Sequence, residues 1–217
     1  MKALQYHIPL ELDKSFIIFK EEGPFFPCPW HYHSEYELVL VNKSTGVRQV
    51  GDHIGYFMEG DLVLMGPSLP HLWTNDPQYF KGKANLTAEA TVIHFVENFL
   101  GKEFYNLPEI EPINNLLKLS KHGMVIRGKT RDKIAALMQE MQTMSGIQRL
   151  ASLLTIFDIL CASNEYELLA SPGYLKQGLL DCSDKFSKVN AYILRNFDHD
   201  ITLNEVASVA NMAVSTF

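Results

Sequence analysis

The side chains best suited to chemistry fall in two short stretches. The first, Trp30-His31-Tyr32-His33-Ser34-Glu35-Tyr36-Glu37, alternates histidine and glutamate with other residues. Alternate side chains of a strand share a face, so His31, His33, Glu35 and Glu37 are expected to point the same way. The second runs from Gly60-Asp61 through Leu62-Val63-Leu64-Met65 to a third histidine, His71, with Asn75 four residues on. Imidazole and carboxylate together suit iron, zinc, nickel or manganese, so His31, His33, Glu37 and His71 form a chemically sound divalent-metal set. The same four residues also suit a metal-free pocket that hydrogen-bonds a small hydroxylated ligand, with Trp30, Tyr32 and Trp73 as candidate apolar walls. Plain structural hydrogen bonding within a β fold is the third reading. His7, His53, His94 and His122 have no partner at ligand spacing and are read as surface or incidental.

Other chemistry finds little support. The chain has no Gly-x-Ser-x-Gly elbow, no Gly-rich phosphate loop, no Cys-x2-Cys pair and no dinucleotide fingerprint. Its 217 residues carry 19 Lys+Arg against 25 Asp+Glu, a formal charge of -6, so no overall positive field draws it to nucleic acid or anionic membrane. With 47% apolar and 11% aromatic residues it has ample material for a core. Three scattered cysteines, Cys28, Cys161 and Cys182, suit reduced thiols better than a disulfide framework. Met1 to Lys14 lacks the pattern of a secretion signal, and no apolar run reaches membrane-spanning length, so a cytoplasmic protein is expected.

The elements that must position the histidines are short strands. Phe16 to Phe19, Glu37 to Val41, Val47 to Val50, Leu62 to Met65 and Thr91 to Ile93 are rich in β-branched and aromatic residues and are separated by turn signals. They predict an antiparallel sandwich or barrel. After about residue 97 the period lengthens. Thr130 is a candidate N-cap for a helix carrying Ile134, Leu137, Met138 and Met141 on one stripe. A second helix, about Gly146 to Ala162, is apolar on more than one face, and Leu150, Leu154, Phe157 and Cys161 repeat at a spacing that suits a partner subunit. Ala170-Ser171-Pro172-Gly173 opens a linker. Thr202-Leu203-Asn204-Glu205 has the form of a capping box, with Leu203, Val206, Ala207 and Ala210 on one face. Asn211 is placed for a left-handed turn, with Met212 packing beneath it.

The spacing of His31, His33 and Glu37, followed by Gly60 and by His71 eleven residues later, resembles the two-part motif of cupins. The chain departs from it at Gly66 and Ser68, and the first part closes late, at Gly46. The order of parts resembles the AraC/XylS family of bacterial transcription regulators. This likeness is carried by Trp30 to Leu38, by Glu59 to Leu64 with Pro70-His71, and by Asp200-Ile201-Thr202-Leu203-Asn204-Glu205-Val206-Ala207 through Ala210-Asn211-Met212 to Ser215-Thr216-Phe217. The resemblance implies an α+β chain. Its parts would be an arm over 1–14, a cupin-like antiparallel β-barrel or sandwich over 15–97, a helical dimerisation element over 98–170, a linker over 171–184 and a partial helix-turn-helix over 185–217.

It further implies a non-enzymatic sensor that binds a small molecule, often a sugar or related metabolite, in the cupin pocket. The arm would close over that pocket, and the helices would form a homodimer. DNA would be read only by the full-length protein, with Val214, Ser215 and Thr216 opening a recognition helix. From Asp184 onward Lys185, Lys188 and Arg195 face Asp184, Asp198, Asp200 and Glu205, so this stretch has no basic face of its own, and the chain is expected to be a fragment of a longer regulator. The competing class is a metal-dependent cupin enzyme, a dioxygenase or sugar isomerase, motivated by the three histidines and Glu37.

Overall fold

Strands whose apolar residues run without a break, such as Leu38 to Val41 and Leu62 to Met65, need a surface on both sides, and the architecture supplies both. The computed structural model describes residues 3–8, 14–81, 86–174, 189, 192–193, 196 and 199–214. In chain order the strands are β1 (Leu4–Gln5), β2 (Phe16–Gly23), β3 (His31–Tyr32), β4 (Tyr36–Lys43), β5 (Gly46–Val50), β6 (His53–Phe57), β7 (Leu62–Met65), β8 (His71–Asn75), β9 (Ala88–Phe95), β10 (Met124–Ile126) and β11 (Tyr166–Leu168). Among the described residues the α-helices include α1 (Glu111–Leu119), α2 (Gly128–Met141), α3 (Gly146–Cys161) and α4 (Leu203–Val209). The fold is α+β, built on two sheets. One has five strands in the order β1-β3-β8-β5-β6, and the other six in the order β11-β10-β7-β4-β9-β2. All pairs are antiparallel except β1 with β3.

The six-stranded sheet is buried on both faces. Leu38 and Leu40 of β4, Leu62 and Leu64 of β7, and Ile93 and Phe95 of β9 pack with Ile134, Met138, Leu153 and Phe157 of the helices. Their alternating neighbours Val39, Val41, Val63, Met65, Ala90 and Val92 pack with Val50, Phe57 and Trp73 of the five-stranded sheet. The result is three layers, with a second core between the two sheets. Gly46 lets β5 enter there: a Cβ on it would lie 2.1 Å from the Thr74 carbonyl oxygen.

Two strands come from the stretch expected to be helical. β10 pairs with β7 and β11 with β10, so residues beyond 97 extend the same sheet. The first long helix also begins earlier than its expected cap. α2 starts at Gly128, and Thr130 lies inside its first turn, where its N–H donates to Glu165 Oε2 at 2.7 Å. A carboxylate 35 residues away thus takes the place of a local cap. α3 spans almost the expected range, and the Ser145 N–H donates to Gln148 Oε1 at 2.9 Å at its start.

The capping box at Thr202 forms as read. Its N–H donates to Glu205 Oε2 at 2.7 Å, and the Glu205 N–H donates to Thr202 Oγ1 at 3.3 Å. Asn211 adopts φ 54°, the left-handed turn expected of it. Val206, Ala207 and Ala210 are buried, with Met212 packed against Val206 and Ala210, whereas Leu203 is 57% exposed and does not share that face. Cys182, Ser215, Thr216 and most of the expected linker lie outside the described residues.

Candidate functional site

The expected single strand from His31 to Glu37 is two strands in two sheets. Ser34 and Glu35 form a bend, with Ser34 Oγ donating to Glu35 Oε1 at 2.9 Å, and the chain crosses there from one sheet to the other. His31 therefore enters from the five-stranded sheet, Glu37 from the six-stranded sheet, and His33 sits at the crossing. His71 is the cross-strand partner of His31, which brings their rings to 4.3 Å between centroids. His31, His33, Glu37 and His71 thus do converge, and all are buried.

A fifth residue joins them. His94, which has no partner at ligand spacing in the sequence, is buried and is the cross-strand partner of Glu37. It shares the inward face of β9 with Ala90 and Val92, and extending the Thr91-Val92-Ile93 strand by one residue would have placed it there.

Hydrogen bonding sets the chemistry of the cluster. A carbonyl oxygen only accepts, so His31 Nδ1, 2.8 Å from the Pro29 carbonyl, and His71 Nδ1, 2.8 Å from the Leu69 carbonyl, both carry the proton. Their Nε2 atoms are left as acceptors. His71 Nε2 is buried with no hydrogen-bond partner and lies 3.8 Å from Glu37 Oε1, a second acceptor. Glu37 Oε2 is engaged otherwise: it accepts from His33 Nε2 at 2.9 Å and from His94 Nε2 at 2.5 Å.

Burial acts to raise the Glu37 pKa, but His71, His94 and the two imidazole N–H groups outweigh it and hold the carboxyl well below its usual range. Burial lowers the His31 pKa and pushes that of His71 down to about 3, which favours the neutral acceptor form. Acceptors facing one another without a proton between them call for a cation or a donor-rich ligand. One nitrogen from each of His31, His33 and His71 lies within 4.8 Å of the others, and so do single donor atoms of His33, Glu37 and His94. The set therefore fits a divalent metal, whose Lewis acidity would polarise a bound oxygen.

The cluster forms the floor of a cavity of about 630 Å³ between the sheets. Val39, Ala90, Val92, Phe19, Phe26 and Trp73 supply apolar wall, while Lys20, Glu21 and Cys28 add polar groups. Burial, and then Glu37, raise the Glu21 pKa, and burial pushes the Cys28 thiol up to about 11. Of the three candidate walls, Trp73 lines the cavity, whereas Trp30 and Tyr32 fall outside its lining. Asn75 is turned elsewhere, accepting from the Phe26 N–H at 2.7 Å. Tyr6, His7 and Ile8 of the arm line the cavity as well. Leu4 N–H donates to the Trp30 carbonyl at 3.0 Å and Tyr6 N–H to the Tyr32 carbonyl at 2.9 Å, which sets the Tyr6 ring 4.7 Å from that of His31.

On α3, Leu150, Leu154 and Cys161 are half-buried, but Phe157 is 2% exposed, its ring 5.4 Å from that of Phe95. Phe157 belongs to the molecule's own core and offers nothing to a partner. Ile147, 75% exposed, and Ala151 extend the outward face instead. Val214 is exposed. No helix among the described residues is long and apolar enough to cross a membrane.

No protein-family model matches the sequence, and no curated protein does. Among solved structures the chain is similar to the AraC-like transcriptional activator CuxR, at 10% identity and a TM-score of 0.46, over 93% of this chain and 68% of that one. It is similar to unsaturated fatty acid-bound ToxT from Vibrio cholerae, at 13% identity and a TM-score of 0.45, over 91% of this chain and 69% of that one. A cupin 2 conserved barrel domain protein from Rhodopseudomonas palustris matches over 41% of this chain and 57% of its own, at 14% identity and a TM-score of 0.32. At these values the functional reading rests on the site itself.

Proposed function

We propose that the chain is the effector-sensing and dimerisation region of a DNA-binding transcription regulator of the AraC/XylS type. The observation that carries this reading is the 630 Å³ cavity whose floor is a buried His/Glu cluster and whose rim includes arm residues Tyr6, His7 and Ile8. Apolar walls with a few convergent polar groups are the usual make-up of a small-molecule site. The effector is a small hydroxylated molecule, a sugar or related metabolite, whose oxygens are held at His31 Nε2, His71 Nε2 and Glu37 Oε1, by O–H donation or through a divalent metal bound there, while its carbon skeleton packs on Trp73. The arm over 1–14 and the β domain over 15–97 form the sensor, the helices over 98–170 the dimer element, 171–184 the linker, and 185–217 the start of the DNA-binding unit. Val214, Ser215 and Thr216 are the DNA contacts of that unit. Leu150, Leu154 and Cys161 contribute to the homodimer from the outward side of α3.

Thermal unfolding with a panel of monosaccharides and sugar acids tests the sensor reading. A ligand that raises the melting temperature of the wild type and not of His71→Ala supports it. Stoichiometric metal together with turnover of a substrate, both lost on His31→Ala, would replace it with a second reading, a metal-dependent cupin enzyme of dioxygenase or sugar isomerase type. The approach of one nitrogen from each of His31, His33 and His71 to within 4.8 Å of the others favours that alternative.

A further inference from the structure

We propose that His94 is a positioning residue of a divalent-metal site, holding the Glu37 carboxylate by one oxygen so that the other faces His71. The inference rests on the metal-binding reading of the cluster. Three observations place His94 in this role.

The first is register. Glu37 and His94 are cross-strand neighbours, and His94 is also paired on its other side with Ile17 of β2, so a three-strand ladder fixes both backbones. The second is the division of the carboxylate. Oε2 accepts from His94 and His33, while Oε1 lies 3.8 Å from the unpartnered His71 Nε2. The third is packing. The His94 ring lies 5.3 Å from that of Phe19 and 5.1 Å from that of His33, and the residue is 5% exposed, which restricts its reorientation.

His33 alone cannot do this work. A nitrogen that binds metal carries no proton, so if His33 gives Nε2 to a metal it stops donating to Glu37. His94 is then the group that still occupies Oε2. Ligating carboxylates are themselves commonly held by such outer hydrogen bonds, and losing one weakens metal binding. With Oε2 occupied, Glu37 offers a single oxygen, which favours low coordination numbers.

The test is a titration of the metal-free protein with Co(II), followed by calorimetry for affinity and by visible absorption for coordination number. The panel is wild type, His94→Ala, His94→Leu, His94→Gln and, as a control on the metal reading, His71→Ala, with each fold checked by near-ultraviolet circular dichroism. The expected result is that His94→Ala and His94→Leu weaken Co(II) binding by about 10- to 100-fold and lower its visible absorption as Glu37 becomes free to use both oxygens. His94→Gln, which keeps an N–H at a similar reach, retains the wild-type spectrum. If His94→Ala does not fold, His94→Leu against His94→Gln carries the comparison. Equal affinity and spectrum in His94→Leu and wild type would overturn the role of His94 while leaving the metal reading intact. Absence of Co(II) binding by the wild type would overturn both.

Discussion

Glu37 and His94 face each other across the β4–β9 ladder, and one Glu37 oxygen takes N–H groups from both His94 and His33. Glu37→Gln replaces that oxygen, in one of its two orientations, by an amide N–H facing two donors. It removes the charge in both. Because Oε2 already holds two buried donors, the variant should lose about 1–3 kcal/mol of stability. Urea denaturation at neutral pH checks this, and an unchanged midpoint would show that the Oε2 contacts contribute nothing net.

Acid should destabilise the fold. His31 and His71 have pKa values lowered by burial, that of His71 to about 3, so the unfolded chain takes up their protons near pH 6.5 while the folded chain does not. Stability from these groups is complete above about pH 6.5 and falls as pH drops toward 3, by at most about 1.4 kcal/mol per pH unit per group. Glu37, with its pKa held low, acts in the same direction below its ordinary value of 4.5. Denaturation midpoints at pH 7 and pH 5 should differ in the wild type and differ less in His71→Phe; equal pH dependence in both would contradict this origin.

Asp61 and Arg48 make a second buried charge pair, Arg48 Nε donating to Asp61 Oδ2 at 2.8 Å with Arg48 1% exposed. Removing one partner strands a buried charge, so Asp61→Ala should cost about 3–5 kcal/mol. The double variant Arg48→Met/Asp61→Leu should recover much of that loss. A double variant as unstable as the single one, by urea denaturation, would contradict the assignment.

Substitutions on α3 test the proposed dimer contact apart from the fold. Phe157→Ala should destabilise the monomer fold by about 3–5 kcal/mol, since the ring is fully enclosed. Ile147→Glu and Ala151→Glu, at exposed positions, should instead lower the mass measured by sedimentation, with little change in melting temperature. Unchanged mass in both variants would remove this face as the dimer contact.

Residues within one local motif were legible in the sequence, and residues joined by sheet pairing were less so. His31, His33, Glu37 and His71 stand out because their spacing is regular, and Thr202 with Glu205 because a capping box is a four-residue signal. His94 is hidden because its partner Glu37 lies 57 residues away and strand register is a tertiary property. Glu165 caps α2 from 35 residues away, so Thr130 looked like the local cap instead. The strand expected over His31 to Glu37 is broken at Ser34-Glu35, where the chain changes sheets; alternation alone does not carry that information. β10 and β11 are only three residues each, too short to register a period of two.

The most direct test of the central claim, that the cavity floor is a ligand-binding surface read through His71, is thermal unfolding of wild type and His71→Ala across a panel of monosaccharides and sugar acids. At concentrations near one hundred times Kd a specific ligand should raise the wild-type melting temperature by about 5–10 °C and leave His71→Ala nearly unmoved. Equal shifts in the two proteins, or none in the wild type, would contradict the account.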